Sequence, residues 1–154
     1  MRRAAPFLAS AAVALWAGSS PASEGRVGPS PELLDRVGVL SRWIADNSDY
    51  EKAPALAPIF IWLSPPELRY LESGDFTEAG QAQREHVPLA IYSNRVMFLH
   101  EDFDLVRDDQ ILMHELVHHF QWANGRTYPC VGAQEKEAYE LQQRYADYKQ
   151  LHLN

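Results

Sequence analysis

Apolar residues recur at three- and four-residue spacing through Leu33, Leu34, Val37, Leu40, Trp43 and Ile44, which predicts an amphipathic helix ending near Ala45. Ser30 stands where an N-cap belongs, and Pro31 occupies the first helical position. Ile59-Phe60-Ile61-Trp62-Leu63 is a continuous apolar run rich in β-branched and aromatic residues, the pattern of a buried strand. Ser64 and Glu67 have the spacing of a capping box and open a short second helix. A polar loop between Gly74 and Gly80 follows. Leu89–Tyr92 and Val96–Leu99 then flank Ser93-Asn94-Arg95 as a β-hairpin.

Two longer helical patterns complete the chain. Asp104, Asp108 and Asp109 precede a segment running to Ala123, in which Ile111, Leu112, Leu116 and Phe120 share one broad apolar face. Acids at that end complement the helix dipole, and Asn124-Gly125 supplies a stop. From Ala133 to about His152 runs a last helix with Ala138, Leu141, Tyr145 and Tyr148 at helical spacing. The order of elements is that of an α+β domain.

The first 22 residues have a different character. Arg2 and Arg3 precede an apolar stretch from Ala4 to Ala17, and small residues around Ser20 and Ala22 form a cleavage pattern. A run of about 14 apolar residues falls short of the ~20 that span a bilayer. This is a signal-peptide pattern. It predicts a periplasmic or secreted domain over residues 23–154, with no membrane association after cleavage. Of the 154 residues, 21 are acidic and 14 are Lys or Arg, a formal charge of −7, so the chain lacks the basic surface of a general nucleic-acid binder. Cys130 is the sole cysteine, which excludes an intramolecular disulfide and any multi-cysteine zinc finger.

The distinctive chemistry is His114-Glu115-Leu116-Val117-His118. Two histidines four apart lie one above the other on a helix face, so both imidazoles reach one ion. Glu115 lies about 100° round the helix, beside that ion, where a carboxylate serves as general base toward an activated water. A catalytic zinc takes three protein ligands and keeps one position open. Glu135, Glu137 and Glu140 open the last helix about 17 residues beyond His118 and can supply the third. On a helical wheel Glu135 and Glu137 flank the apolar stripe on opposite sides, so both remain candidates. His119 points away from the ligand pair. Cys130 is a chemically competent soft ligand, able to occupy the open position or to pack as a small buried hydrophobe.

His114-Glu115-x-x-His118 followed by Glu135-Lys136-Glu137-Ala138-Tyr139 resembles the gluzincin branch of zinc metallopeptidases, and in size the small secreted bacterial zincin-like domains. The resemblance covers about residues 89–152. It implies a minimal zincin-like domain: a small antiparallel sheet, an active-site helix carrying the histidines, and a C-terminal helix carrying the glutamate. It further implies Zn2+ held by His114, His118 and Glu135, peptide-bond hydrolysis with Glu115 as base, and a peptide or protein substrate. The second strand of the hairpin would be the edge strand along which substrate lies. Tyr139 stands where gluzincins often carry an acid orienting a ligand histidine, so the orienting group must be another residue, such as Asp147 or an upstream Asp. Tyr128, Tyr139 and Tyr145 are candidates to polarise a scissile carbonyl, and Trp43, Trp62 and Trp122 are expected to pack. The competing expectation is a non-catalytic zinc-binding or interaction protein on the same scaffold.

Overall fold

The computed structural model describes residues 28–73 and 87–152. The signal-peptide pattern, the loop between Gly74 and Gly80, and His86 lie outside the described residues. The described residues form four helices and a three-stranded sheet: α1 Pro31–Asn47, β1 Ile59–Leu63, α2 Pro65–Ser73, β2 Ala90–Ser93, β3 Val96–His100, α3 Asp109–Ala123 and α4 Val131–His152. The architecture is mixed α+β. None of the described helices is long and apolar enough to cross a membrane.

The local signals act where the side-chain pattern places them. The Ser30 hydroxyl accepts a hydrogen bond from Leu33 N at 3.2 Å, and α1 buries Leu33, Val37, Leu40 and Ile44. Glu67 accepts from both the N–H and the hydroxyl of Ser64, closing the start of α2. At the end of α3, Gly125 takes φ +60°. Its N–H bonds Trp122 O while Arg126 N–H bonds Gln121 O, a Schellman closure that needs the left-handed glycine.

The sheet departs from the antiparallel expectation. β2 and β3 form the expected hairpin, but β1 pairs parallel to β3, giving the order β1-β3-β2. A parallel pair needs a crossover, and the chain between Leu63 and Ala90, which begins with α2, provides the length. The strand buried between neighbours is therefore β3, and among the described strands the edge on the hairpin side is β2, not the hairpin's second strand. The hairpin turn is tighter than expected. Asn94 and Arg95 alone form it, both with positive φ (47° and 72°), as a type I′ turn requires.

Helix α3 is the centre of the molecule. Eleven of its 15 residues are buried, including His114, Glu115, His118, His119 and Gln121. Such all-round burial follows from packing against α1, α4 and β2 at once. Leu112, Met113, Leu116, Val117 and Phe120 join Leu40, Ile44, Met97 and Leu99 in one continuous core.

Asp109, expected only to complement the helix dipole, has a larger part. Its carboxylate is buried at the first turn of α3. It accepts from Arg36 of α1 (2.5 and 2.6 Å), from Lys149 of α4 (2.9 Å) and from the Tyr145 hydroxyl (3.1 Å). Burial by itself would push this carboxyl up, but the bonds and charges of Arg36 and Lys149 outweigh it and hold the group below the usual Asp range. A depressed native pKa contributes stability that is complete above the ordinary Asp value near ~3.9 and is lost as pH falls through the native value. Asp109→Asn should therefore destabilise the fold by about 2–4 kcal/mol at neutral pH. Urea unfolding should show the gap to wild type closing on acidification below about pH 4. A gap that stays constant with pH, or a loss under about 0.5 kcal/mol, contradicts the assignment.

Candidate metal centre

α3 and α4 run antiparallel, and their facing sides bring three ligand atoms together. His114 Nε2 lies 3.2 Å from His118 Nε2 and 3.2 Å from Glu135 Oε2, and His118 Nε2 lies 3.4 Å from Glu135 Oε1. Ligands about 2.0–2.1 Å from a tetrahedral ion sit about 3.3 Å from one another, so the spacing fits a zinc-sized ion. His114, His118 and Glu135 form the one such cluster among the described residues.

The orientation of His118 can be worked out from its partners. Gln121 Nε2 donates to Gln134 O (3.0 Å) and to Glu137 Oε2 (3.1 Å), both of which only accept. The amide oxygen of Gln121 must therefore face His118 Nδ1, 2.8 Å away, and Nδ1 must carry the proton. In the neutral ring this leaves Nε2 as a bare lone pair aimed at His114 and Glu135. His114 Nδ1 meets Gln142 Oε1 at 3.1 Å, the same arrangement from α4. Burial, then the neighbouring His118, hold His114 below the usual histidine range.

Two glutamines thus do the orienting that was expected of an acid. Asp147 is exposed, accepts from Gln143 and takes no part. Asp109 is committed to Arg36 and Lys149. The ring of Tyr139 packs 4.5 Å from the His114 ring instead. Of the two glutamates left open, Glu135 faces the histidines through the crossing of the helices, while Glu137 accepts from Gln121 and from the Tyr128 hydroxyl.

Glu115 is buried beside the cluster. Burial, reinforced by the charge of Glu135, pushes its carboxyl up to about 8, opposed by a hydrogen bond from the Tyr92 N–H. That contact follows from hairpin register. With Ser93 and Val96 as the bonded pair closing a two-residue turn, Tyr92 directs its N–H and C=O away from β3, toward the outer edge.

His119 is as buried as its neighbours but serves the fold. Its Nε2 must donate to Leu56 O (2.8 Å), so Nδ1 accepts from the Tyr92 hydroxyl (2.8 Å), which in turn accepts from Arg95 N (3.0 Å). His100 is buried at the end of β3, where Nδ1 accepts from Asp102 N. His152 is exposed at the end of α4.

A groove of about 580 Å3 leads away from the cluster between Tyr92-Ser93-Asn94 on one side and Tyr128, Cys130 and Val131 on the other, with His118 and Trp122 in its wall. Cys130 is exposed there, so it is not a buried packing residue, and it lies outside the ligand cluster. Tyr128 and Tyr145 spend their hydroxyls on Glu137 and Asp109, which leaves Tyr139 as the one phenol of the three beside the cluster. Trp43 packs on Tyr145 and Tyr148, and Trp62 lies beside Phe60. Trp122 departs from the packing expectation: it is 47% exposed on the groove wall.

Sequence reasoning missed Gln121, Gln142 and Tyr92. Gln121 lies one helical turn after His118, and Gln142 lies seven residues after Glu135 on the same face of α4, so both had a spacing signal. Tyr92 had none, since its contact depends on which strand is the edge. If Gln121 sets the tautomer of His118, Gln121→Leu should weaken zinc binding about 10–100-fold. Gln142→Leu should act in the same direction through His114. Titration against a chromogenic zinc chelator checks this, and unchanged affinity in both variants refutes the orienting role.

No curated protein and no solved structure is found to match the chain. A family model described as "Domain of unknown function (DUF6647)" matches residues 29–154, which takes in every described helix and strand and all three clustered side chains. The chain belongs to the DUF6647 family.

Proposed function

We propose that the protein is a zinc-dependent peptidase of minimal gluzincin type, working in the periplasm or outside the cell. The observation that carries this reading is the set of three side-chain atoms 3.2–3.4 Å apart, with the buried Glu115 carboxyl beside them and His118 lining an open groove. A zinc ion there supplies a Lewis acid and makes water a competent nucleophile at neutral pH.

The chain's own groups supply the remainder. His114, His118 and Glu135 would hold the ion, with Gln121 and Gln142 fixing the two imidazoles. Glu115 takes a proton at its carboxylate as the nucleophile attacks and returns it to the leaving amine. The outer edge of β2, where Tyr92 gives its N–H to Glu115, would offer its remaining backbone groups to an extended peptide, which is how a sheet edge binds a strand.

The non-catalytic reading makes the opposite prediction for Glu115. Purified wild type should contain about one zinc per chain, and His114→Ala should lose it. Glu115→Gln should keep zinc while peptide cleavage falls about 10²–10⁴-fold. Stoichiometric zinc in His114→Ala overturns the ligand assignment. Zinc-loaded wild type that cleaves nothing in a broad peptide library favours a binding protein on this scaffold.

A further inference from the structure

Beyond Trp122 from the metal cluster lies a second depression of about 500 Å3. Its floor is apolar, from Ala53, Pro54, Leu56 and Ala123, and two cations, Lys52 and Arg95, stand at it. Trp122 lines both this depression and the groove that leads from His118, so the two are neighbours across one indole. The indole is held from below by His119, whose ring stacks on it with planes 5° apart and centroids at 5.8 Å. The Arg95 guanidinium lies over the indole, 5.5 Å from the ring centroid.

Lys52 and Arg95 form no ion pair among the described residues, unlike Arg126, which is tied to Asp49 at 2.7 Å. In a chain of formal charge −7, two uncompensated cations over an apolar floor are complementary to an anion on a short apolar stem. The backbone adds a second argument. Arg95 occupies the second position of a type I′ turn at φ 72°, where glycine is favoured and an L side chain costs about 1 kcal/mol. What the position gains over glycine is the guanidinium.

Tyr92, whose N–H meets Glu115, lies on β2, and Arg95 lies in the turn that follows it. Trp122 lines both the groove at His118 and the depression at Arg95, so a chain bound at the cluster reaches the depression by crossing the indole.

We propose that this depression is a subsite for a carboxylate carried by a chain bound at the cluster, held by Arg95 and Lys52 over the Trp122 shelf. The carboxylate belongs to a peptide, either as an Asp or Glu side chain or as the chain's own C-terminus. The choice of a peptide as occupant rests on the peptidase reading; capture of the carboxylate does not require turnover.

The test uses zinc-loaded Glu115→Gln protein, so that binding is read without cleavage, and three series of hexapeptides. One carries Glu at each position in turn with both ends blocked, the second carries Gln at the same positions, and the third is the Gln series with a free C-terminal carboxylate. Calorimetric titration should show at least one blocked Glu peptide, or the free-acid peptide, binding about 10-fold more tightly than its blocked Gln counterpart. Which of the two gains identifies the source of the carboxylate. Adding Arg95→Gly should abolish the difference without lowering the thermal midpoint, since glycine relaxes the turn. Equal affinity across all three series, or a difference that survives both Arg95→Gly and Lys52→Ala, overturns the subsite. Cleavage assays on wild type separate the two readings. Turnover without carboxylate discrimination leaves the peptidase standing and removes the subsite. Discrimination in binding with no turnover of any peptide does the reverse.

Discussion

The antiparallel crossing of α3 and α4 is the constraint on which the rest of this structure depends. Polar contacts pin it at both ends. At the start of α3, Asp109 meets Tyr145 and Lys149; at its end, Gln121 meets Gln134 O and Glu137. Residue numbers fall along one helix as they rise along the other, so the position of Glu135 opposite His114 and His118 follows from these two anchors. Ala138 and Leu141 fill the interval with buried apolar contact, which resists separation but sets no register. Directional bonds to buried partners set it, because a slipped helix would strand them unpaired at a cost of about 1–3 kcal/mol each.

The cluster inherits its order from those anchors. Gln121 holds the crossing through its amide nitrogen and orients His118 through its amide oxygen, so one side chain couples the packing of the helices to the direction of the His118 Nε2 lone pair. A carboxylate in that place would have had to face Gln134 O and Glu137 as acceptors, which it cannot satisfy. The neutral amide is the group that donates on one side and accepts on the other.

A second network ties the sheet to the same helix. His119 donates to Leu56 O and accepts from Tyr92, and Tyr92 brings its backbone N–H to Glu115. Trp122 stacks on His119 and reaches the surface, where Arg95 covers it. Glu115, His119 and Trp122, at i, i+4 and i+7 on one face of α3, thereby link the cluster, the sheet edge and the groove wall.

The sequence by itself determined what depends on neighbours along the chain. Caps at Ser30 and Ser64, the stop at Gly125, the apolar stripes of α1 and α4, and the face shared by His114 and His118 all follow from one-turn spacing. It left open whatever depends on contacts between distant segments. Glu135 and Glu137 sit on either side of one stripe, and only the crossing of α4 over α3 turns the first toward the histidines and the second toward Gln121 and Tyr128. β1 reads as a strand, but its parallel pairing with β3, and hence the position of β2 at the edge, arises from a crossover that no local pattern encodes. Asp109 reads as a dipole complement because its neighbours in sequence are acidic; its actual partners, 73 and 40 residues away, exist only once α1 and α4 have closed over α3.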